Sequence, residues 1–400
     1  MSSECRLCGQ AIVTQSLTLG HVPVCNAFSR TATTERRVRL DIVGCETCGL
    51  VQLGAAPAVP ELIPRLPWIR YREPEAHLDA LVADVLSRRP NARRALGTGP
   101  FEQPLLSRFA QGGLDTGTLA LDAAPAADRY PYLESWQATL TEAHLADQAV
   151  QVGTADIVSC RYIVEHSPTP VEALRALKHL LSPGGLLLIE VPDSSKFLAA
   201  RDYCFLWEEH CCYFVEETLR RLAEVSGYRV LALCRYPGAL EDALVAILEP
   251  VNAAASAIPA RDWGPSTQFR TYRDDFAKTG DMLRKTLAAA AGPERDRVAL
   301  FGIGHHAIMF VNAFGLADFI ALAVDDDADK VGFFPPGFRV PVVDSGGLMA
   351  DERIRLCLFA VAPHIEGKVR DKLAAVSARG VEFRSIYAAL DNSIMKDPAP

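Results

Sequence analysis

The sequence contains no long apolar run and no excess of positive charge. No window of its 400 residues approaches the roughly 18 consecutive apolar residues that a membrane-spanning helix requires. Its 41 Lys and Arg residues are outnumbered by 49 Asp and Glu residues, and no long basic stretch could follow a phosphate backbone. The opening residues, MSSECRLCGQ, lack the charged and apolar regions of a secretory signal. We therefore expect a cytoplasmic protein whose partners are neither membranes nor nucleic acids.

The composition does provide enough apolar material for folded cores. Hydrophobic residues make up 49% of the chain and charged residues 22%, which is typical of soluble globular proteins. Because 400 residues exceed what one hydrophobic core usually organises, the length predicts two or three domains.

Four of the 11 cysteines form two matched pairs near the start of the chain. Each pair has the pattern Cys-x-x-Cys-Gly, with Cys5 and Cys8 in the first and Cys45 and Cys48 in the second. The glycine that follows each pair allows the backbone to fold back toward the thiolates. Two such pairs suit tetrahedral zinc, and the alternatives are iron in the same geometry or four reduced cysteines that merely lie near one another. Four protein thiolates leave no open coordination position, so we expect the zinc to be structural.

The segment between the two pairs is longer than in a compact zinc ribbon, and it carries His21 and Cys25 as spare donors. After the second pair, the sequence GLVQLGAAPAVPELIPRLPW changes from a strand-like to a proline-rich composition. This change predicts a domain boundary near residue 60.

The next region alternates strand and helix patterns, which predicts an α/β domain with a doubly wound sheet. The stretch RRALGTGPFEQPLLSRFAQGG passes from an apolar strand through Gly97-x-Gly99 into a helix, and TLALDAAP predicts a second strand that ends at Asp122. In such folds a glycine turn lets the backbone approach an adenosyl group, and an acidic strand end accepts hydrogen bonds from the ribose. A tight turn without a ligand gives the same pattern, so the glycines alone do not decide between the two.

Three further segments give this region a definite order. ADIVSCRYIVEH predicts a buried strand and a loop with Glu165 and His166, PTPVEALRALKHLLSPGG predicts a helix closed by a turn, and LLLIEVPD predicts another strand. This order resembles that of class I S-adenosylmethionine-dependent methyltransferases. The resemblance implies S-adenosylmethionine as cofactor, held by Gly97, Gly99, Asp122, Glu165 and His166.

The resemblance extends over most of the chain. The cysteine pairs, the methyltransferase pattern, EEHCCYFVEETLRRLAEVSGY and the late DDDADKVGFFPPGFRVPVV together resemble the three-part bacterial C-methyltransferases of nucleotide-linked deoxysugars. This family implies a zinc-binding module at 1–60, a class I methyltransferase core at 61–250, a linker and connecting helix at 251–295, and a C-terminal Rossmann-like α/β domain at 296–400. It also implies a small-molecule acceptor, a nucleotide-linked keto-deoxysugar.

Carbon methylation requires a base, because a sugar carbon becomes nucleophilic only as the enolate of a neighbouring ketone. The family carries a Tyr-x-Glu-His-x-x-Tyr-Phe element near the acceptor, and FLWEEHCCYF supplies Glu209, His210, Tyr213 and Phe214 at matching positions. The resemblance implies that His210 is the base, that Glu209 either orients it or contacts sugar hydroxyls, and that Tyr213 and Trp207 line the acceptor pocket. Trp207 stands where the family has tyrosine, and an indole cannot carry a proton at neutral pH. The alternative role for His210 is a histidine satisfied at a domain junction.

A second element of the family precedes the core. The stretch WIRYREPEAHLDALV contains Tyr71, whose phenol is expected to face the acceptor. This phenol would supply part of the proton transfer that the indole of Trp207 cannot perform. The same letters also fit a helix start with Pro74 in the first turn, and both interpretations can hold together.

The adjacent Cys211 and Cys212 raise a second metal question. Neighbouring residues of an extended segment project to opposite sides, so we expect these cysteines to pack as small apolar residues. A zinc site formed by His210, Cys211 and a remote ligand is the alternative.

The cofactor loop departs from the methyltransferase pattern. Ala95 replaces the usual acidic residue and Phe101 replaces the usual third glycine, while Glu102 is close but out of register. These departures leave open a descendant that no longer methylates. The tryptophan in place of tyrosine leaves open an enzyme that methylates oxygen or nitrogen.

A second glycine turn lies near the C-terminus, in RVALFGIGHHAIMFVNAFG followed by FIALAVDDD. Its spacing matches a dinucleotide fingerprint and makes an NAD(P)-dependent enzyme the alternative from another class. The matching residues are Gly302, Gly304, Ala307 and Asp325. His305 and His306 lie where a helix N-terminus would meet the acceptor's diphosphate, or else they are solvent-facing turn residues.

Overall fold

The computed structural model describes residues 4–12, 16–32, 36–62, 73–119, 140–251 and 267–396. Tyr71 and Asp122, both expected at the active site, lie outside these ranges. Within them, the strands form three sheets, one for each predicted domain. No helix in the described ranges is long and apolar enough to span a bilayer.

The N-terminal module is built on a small antiparallel sheet. Its elements are β1 (Leu17–Pro23), β2 (Arg37–Gly44), β3 (Val51–Leu53) and the short helix α1 (Val59–Leu62). At the start of β2, Arg37 and Arg39 are exposed whereas Val38 and Leu40 are buried. This alternation shows that one face of the sheet packs against the rest of the protein.

The methyltransferase region contains a six-stranded sheet with helices between its strands. Its elements are α2 (Leu78–Arg88), β4 (Arg94–Gly97), α3 (Gln103–Gln111), β5 (Asp115–Thr118), α4 (Glu142–Val152), β6 (Ala155–Arg161), α5 (Pro170–Ala176), β7 (Leu181–Asp193), α6 (Ser195–Ala200), β8 (Cys212–Tyr213), α7 (Glu216–Val225), β9 (Tyr228–Tyr236) and β10 (Asp242–Pro250). Short 3₁₀ turns cover Val164–His166, Leu177–Leu180 and Tyr203–Phe205.

The strand order in this sheet is β5-β4-β6-β7-β10-β9. The first four strands are parallel, and β10 runs antiparallel to both of its neighbours. The central strand β7 carries an uninterrupted buried run over 185–191. Such a run is expected when helices cover both faces of a sheet, so the predicted doubly wound fold is confirmed.

Of two local predictions in this region, one lies partly outside the described residues and the other was wrong. Strand β5 covers Asp115–Thr118 and pairs with β4, whereas residues 120–122, where the strand predicted from TLALDAAP would end, lie outside the described residues. Helix α2 begins at Leu78 and not near Pro74. The carbonyl of Pro74 instead accepts a hydrogen bond from Arg161 Nη2 at 3.1 Å.

The C-terminal domain is a five-stranded sheet in which every strand is parallel to its neighbours. Its elements are α8 (Thr267–Ala291), β11 (Val298–Phe301), α9 (His305–Phe314), a 3₁₀ turn (Ala317–Phe319), β12 (Leu322–Val324), β13 (Val342–Val343), α10 (Ser345–Ala350), β14 (Leu356–Phe359), α11 (Pro363–Lys372), α12 (Ala374–Ala378) and β15 (Glu382–Ser385). The order β13-β12-β11-β14-β15 confirms a Rossmann-like domain. The predicted connecting helix is α8, and its buried Tyr272, Leu283 and Leu287 make it part of the shared core.

The three domains meet along residues 203–214. Strand β8 pairs with β3, so a segment of the methyltransferase region completes the sheet of the N-terminal module. Tyr203 OH donates to Tyr272 O at 2.7 Å, and Ala388 N donates to Asp202 Oδ2 at 2.8 Å. These contacts place the FLWEEHCCYF segment at the junction of all three domains.

Candidate active site and metal centre

The two cysteine pairs converge as the sequence predicts. Cys5 Sγ lies 3.4 Å from Cys48 Sγ, and Cys8 Sγ lies 3.6 Å from Cys45 Sγ. All four sulfur atoms lie within 4.8 Å of one another. Zn–S bonds of about 2.3 Å in a tetrahedron place sulfur atoms about 3.8 Å apart, so this donor set fits zinc. With four thiolates as ligands the site is closed, as a structural zinc requires.

Matching backbone turns hold the two pairs. Gly9 N donates to Cys5 O at 2.9 Å, and Gly49 N donates to Cys45 O at 2.8 Å. The φ angles of Gly9 and Gly49 are 69° and 74°, in the left-handed region that a residue without Cβ adopts at little cost. Two turns of one geometry therefore present four sulfur atoms to one point.

Cys211 and Cys212 are packing residues, as predicted. They are 4% and 1% exposed and lie in an apolar cluster with Phe214. Among the described residues, no group of potential metal ligands includes Cys211, so the alternative zinc site with His210 is not formed.

Tyr213 fixes the position of Trp207. The Tyr213 hydroxyl donates to Trp207 O at 3.0 Å and accepts from Trp207 N, also at 3.0 Å. These two bonds close the segment into a loop and hold the tryptophan backbone. In this geometry Tyr213 supports the wall of the site, and its predicted contact with the acceptor stays a prediction.

Trp207 stands at the centre of a group of stacked rings. Its indole lies 3.4 Å from the His305 ring at an interplanar angle of 10°, and 5.3 Å from the His210 ring at 15°. His166 meets His210 edge-on at 4.6 Å between ring centroids. The buried Nε1 of Trp207 has no hydrogen-bond partner among the described residues. An unsatisfied buried donor costs about 1–3 kcal/mol, so an acceptor atom on a bound molecule would be stabilised by this N–H.

Burial keeps the imidazoles of this group neutral. It lowers the pKa of His166 to about 3 and that of His306 to about 4. Burial, together with the nearby His166 and His305, also lowers the pKa of His210 well below its usual range. A neutral imidazole carries a lone pair that can accept a proton. His210 therefore has the protonation state that a general base needs at pH 7.

Buried carboxyl groups line the carboxyl ends of the neighbouring strands. Glu165 Oε2 has no hydrogen-bond partner among the described residues, and burial raises the pKa of Glu165 well above its usual range. Burial also raises the pKa of Glu73 to about 7, although the Arg161 charge acts in the opposite direction. Buried carboxyl groups of this kind are stabilised as carboxylates by a cationic ligand. The sulfonium of S-adenosylmethionine is such a cation, so these residues fit the expected cofactor.

A buried ion pair supports the same edge of the sheet. Arg161 Nε donates to Glu190 Oε2 at 2.6 Å, and His77 Nε2 lies 3.0 Å from Glu190 Oε1. The His77 ring also stacks on Tyr236 at 4.5 Å. These partners hold the Glu190 pKa below its usual range despite burial. Glu190 is therefore an ionised structural partner of Arg161.

Glu102 anchors the glycine turn that follows β4. Its Oε1 accepts a hydrogen bond from Arg161 N at 2.9 Å, which ties the turn to β6. A Cβ on Gly97 would lie 2.5 Å from Glu102 Cβ, and one on Gly99 would lie 2.1 Å from Ile163 Cδ1. Close packing within the protein therefore accounts for Gly97, whereas a side chain at Gly99 would have to displace the end of the Ile163 side chain. Their predicted contact with the cofactor stays a prediction.

The C-terminal glycine turn uses its acidic residue internally. Asp325 Oδ2 accepts from Ile303 N at 2.8 Å and from Lys330 Nζ at 2.9 Å. Gly302 has a φ of 92°, and a Cβ there would lie 2.7 Å from Val361 Cγ1. An aspartate held by its own turn and by a lysine is not positioned to bind a ribose. The geometry therefore does not favour the NAD(P) alternative.

The two C-terminal histidines contact protein atoms. His305 Nε2 lies 3.0 Å from Leu206 O, and His306 Nδ1 lies 3.1 Å from Tyr387 OH. The other ring nitrogen of His305 faces Glu208 Oε2 at 4.0 Å. Neither histidine is a solvent-facing turn residue. A carboxylate beside His305 would repel a diphosphate, so this geometry does not favour the predicted diphosphate contact.

Sequence reasoning missed Tyr162, which follows β6 directly. It has a left-handed φ of 54° and is 5% exposed, and its ring meets Phe101 edge-on at 6.2 Å. Burial and the nearby carboxylates raise the pKa of its hydroxyl, so the phenol stays protonated. The signal in the sequence was its place at the end of a buried strand, one residue after Arg161. Tyr162 brings a phenol to this edge of the sheet, where the sequence offered only Tyr71.

Sequence reasoning also missed Glu208 and grouped Cys25 with the wrong residues. Glu208 is 3% exposed and its Oε1 accepts from Cys25 N at 2.6 Å. Cys25, considered a spare donor for the four-cysteine site, lies instead with Glu208 and His305. The signal was the doubled glutamate in WEEH, of which only Glu209 matched the family element.

Three domain families match the chain in order. Their descriptions are "Putative zinc binding domain" for residues 5–61, "Methyltransferase domain" for residues 72–233 and "C-methyltransferase C-terminal domain" for residues 251–386. The chain belongs to the three-domain C-methyltransferase family. These matches agree with both predicted cofactors, zinc at the four cysteines and S-adenosylmethionine at the methyltransferase domain. The boundaries drawn at residues 60, 250 and 295 stay predictions.

Individual proteins resemble parts of this C-methyltransferase-family chain. C-methyltransferase NovU of Streptomyces niveus is 25% identical over 216 residues, which is 48% of this chain and 48% of NovU. The chain thus matches about half the length of this relative. A Burkholderia thailandensis 1,6-didemethyltoxoflavin-N1-methyltransferase is 15% identical, with a TM-score of 0.30 over 44% of this chain and 80% of its own. The magnesium protoporphyrin IX methyltransferase of Synechocystis PCC 6803 is also 15% identical, with a TM-score of 0.29 over 44% of this chain and 79% of its own.

Proposed function

We propose that this protein is an S-adenosylmethionine-dependent C-methyltransferase whose acceptor is a small molecule, a nucleotide-linked keto-deoxysugar. The domain order and the relative NovU, itself a C-methyltransferase, support the reaction class. When bound, S-adenosylmethionine supplies a methyl group already activated by its sulfonium. The protein must therefore supply an activated carbon and hold it in line with that methyl group.

The base in this proposal is His210. A carbon next to a ketone loses a proton to the neutral imidazole, and the electron pair moves into the enolate. With S-adenosylmethionine bound, the enolate carbon would take the methyl group as its bond to sulfur breaks, leaving S-adenosylhomocysteine, and the proton would remain on His210 until it is released to solvent. The lowered pKa of His210 leaves the imidazole neutral at pH 7 but also makes it a weaker base, so proton transfer to it requires hydrogen-bond donors that stabilise the enolate. Glu209, buried beside it, is the proposed orienting residue.

The observation that carries the proposal is the buried, unpartnered indole N–H of Trp207 beside this base. Nε1 has no hydrogen-bond partner among the described residues, and the ring lies 5.3 Å from His210. A donor of this kind stabilises the oxygen on which negative charge develops during enolisation. The tryptophan thus supplies the hydrogen bond of the tyrosine that the family element carries, without any need for proton transfer.

The test is transfer of labelled methyl from S-adenosylmethionine to a panel of nucleotide-linked keto sugars, with the product identified by NMR. We expect a new carbon-bound methyl group, lost in His210→Ala while cofactor binding by calorimetry is retained. His364→Ala is the matched control, because His364 is exposed on α11 and remote in sequence from the segment. A methyl group on oxygen or nitrogen would overturn the carbon assignment. Absence of S-adenosylmethionine binding to the purified protein would overturn the proposal as a whole.

A further inference from the structure

We propose that Cys25, Glu208 and His305 form a second zinc site, separate from the four-cysteine site and located where the three domains meet. The three side chains come from the N-terminal module, the methyltransferase region and the C-terminal domain. Their ligand atoms all lie within 4.8 Å of one another. They are side chains of the three types that bind zinc in proteins: thiolate, carboxylate and imidazole.

The arrangement of Glu208 favours coordination. Its Oε1 accepts from Cys25 N at 2.6 Å, which anchors the carboxylate and brings it to the residue whose thiol is the second ligand. Its Oε2 faces His305 Nδ1 at 4.0 Å. Ligand atoms of a tetrahedral zinc site are about 3.4–3.6 Å apart, so this pair needs to approach by about half an ångström, and the Cys25 sulfur starts within 4.8 Å of both.

The tautomer of His305 also favours coordination. Its Nε2 lies 3.0 Å from the carbonyl oxygen of Leu206, and a carbonyl can only accept, so Nε2 carries the proton. Nδ1 therefore presents a lone pair toward Glu208 and Cys25. A zinc-bound histidine commonly donates its other N–H to a backbone carbonyl in this way. Trp207, stacked on the imidazole at 3.4 Å, fixes the plane of the ring.

Charge balance selects a divalent metal that accepts sulfur, nitrogen and oxygen. Binding removes the thiol proton of Cys25 to solvent, so a thiolate and a carboxylate together neutralise a 2+ ion. Both side chains are buried, with Cys25 5% and Glu208 3% exposed, and a neutral complex lowers the cost of burying these charges. Three protein ligands leave a fourth position open, unlike in the four-cysteine site.

The primary measurement is the metal content of the full chain after saturation with zinc and removal of excess metal. We expect two zinc ions per chain by mass spectrometry of the native protein. One zinc ion per chain in the folded wild-type protein would overturn the proposal, whatever the variants do. Cobalt gives an independent readout, because the intensity of its thiolate charge-transfer band per metal should be lower for the second equivalent than for the four-thiolate site.

Variants locate the second ion. Cys25→Ser and Glu208→Gln should each lower the content from two ions to one and remove the weaker cobalt band. Cys204→Ser is the matched control, because Cys204 is a fully buried cysteine at the same junction, and it should retain two ions. His166→Ala should also retain two, because Glu165, His166 and His210 form a different cluster of possible ligands among the described residues. If the second ion is lost in His166→Ala but kept in Cys25→Ser, the proposed site is wrong.

Discussion

Replacing Trp207 with phenylalanine removes the indole N–H and keeps an aromatic ring against His305. The structure shows this N–H buried and without a partner among the described residues. If it binds the developing enolate oxygen, its loss should resemble the loss of one oxyanion donor. Such a loss lowers kcat by about 10²–10³-fold, or about 2.7–4 kcal/mol in the activation free energy. Lost stacking on His305, about 0.5–1.5 kcal/mol, should appear in the free energy of unfolding.

The assay is single-turnover methyl transfer at saturating S-adenosylmethionine, with KM for the acceptor determined separately. Because the hydrogen bond strengthens as charge develops, kcat should fall far more than KM rises. Tyr203→Phe is the control, because it also removes one buried donor, the hydroxyl bonded to Tyr272 O, from the same junction. That change should lower stability by about 1 kcal/mol and leave kcat unchanged. A Trp207→Phe enzyme with kcat within about threefold of wild type would refute the role of the indole N–H, since the donor is expected to contribute at least 10²-fold.

Three further predictions concern the zinc module, pH and the C-terminal turn. Cys8→Ser should remove the structural zinc and open the N-terminal module to proteolysis, whereas Cys234→Ser, in β9, should retain metal and resistance. The His166 pKa of about 3 in the folded protein lies below its usual value near 6.5. As the pH falls, His166 is therefore protonated in the unfolded chain before it is protonated in the folded protein. Stability should therefore fall by about 1.4 kcal/mol between pH 7.5 and 5.5 from this residue, and urea titrations of His166→Gln should lack that part of the decrease. Asp325→Asn should lower the stability of the C-terminal domain by about 1–3 kcal/mol, with no NAD(P) binding by fluorescence before or after the change.

The features that the sequence predicted well depend on short, local patterns. The metal site is recognisable because each cysteine pair carries its own glycine turn. Bringing the two turns together completes the four ligands, Cys5, Cys8, Cys45 and Cys48. The doubly wound core follows from the alternation of apolar strands and amphipathic helices between residues 94 and 250. Buried runs such as that of β7 leave little choice of fold class.

The features that the sequence did not predict depend on contacts between distant segments. Strand β8 is two residues long, so no periodicity marks it, and only its pairing with β3 reveals it. Glu102 is out of register with the family pattern, yet its carboxylate reaches Arg161 N across the sheet. Cys25 was grouped with the nearer cysteines because spacing along the chain gives no direction in space. Glu208, 183 residues away, is its partner.

The central claim is that His210 generates an enolate on a keto-sugar acceptor, and hydrogen exchange at that carbon tests it most directly. The acceptor is incubated in D₂O with enzyme and S-adenosylhomocysteine, which cannot donate a methyl group, and the carbon-bound proton is followed by NMR. The account predicts exchange at the carbon next to the ketone in the wild-type and His364→Ala enzymes, and none above background in His210→Ala. Equal exchange in the His210→Ala and wild-type enzymes would contradict it. Methylation by the wild-type enzyme of an acceptor whose carbon-bound protons do not exchange would also contradict it.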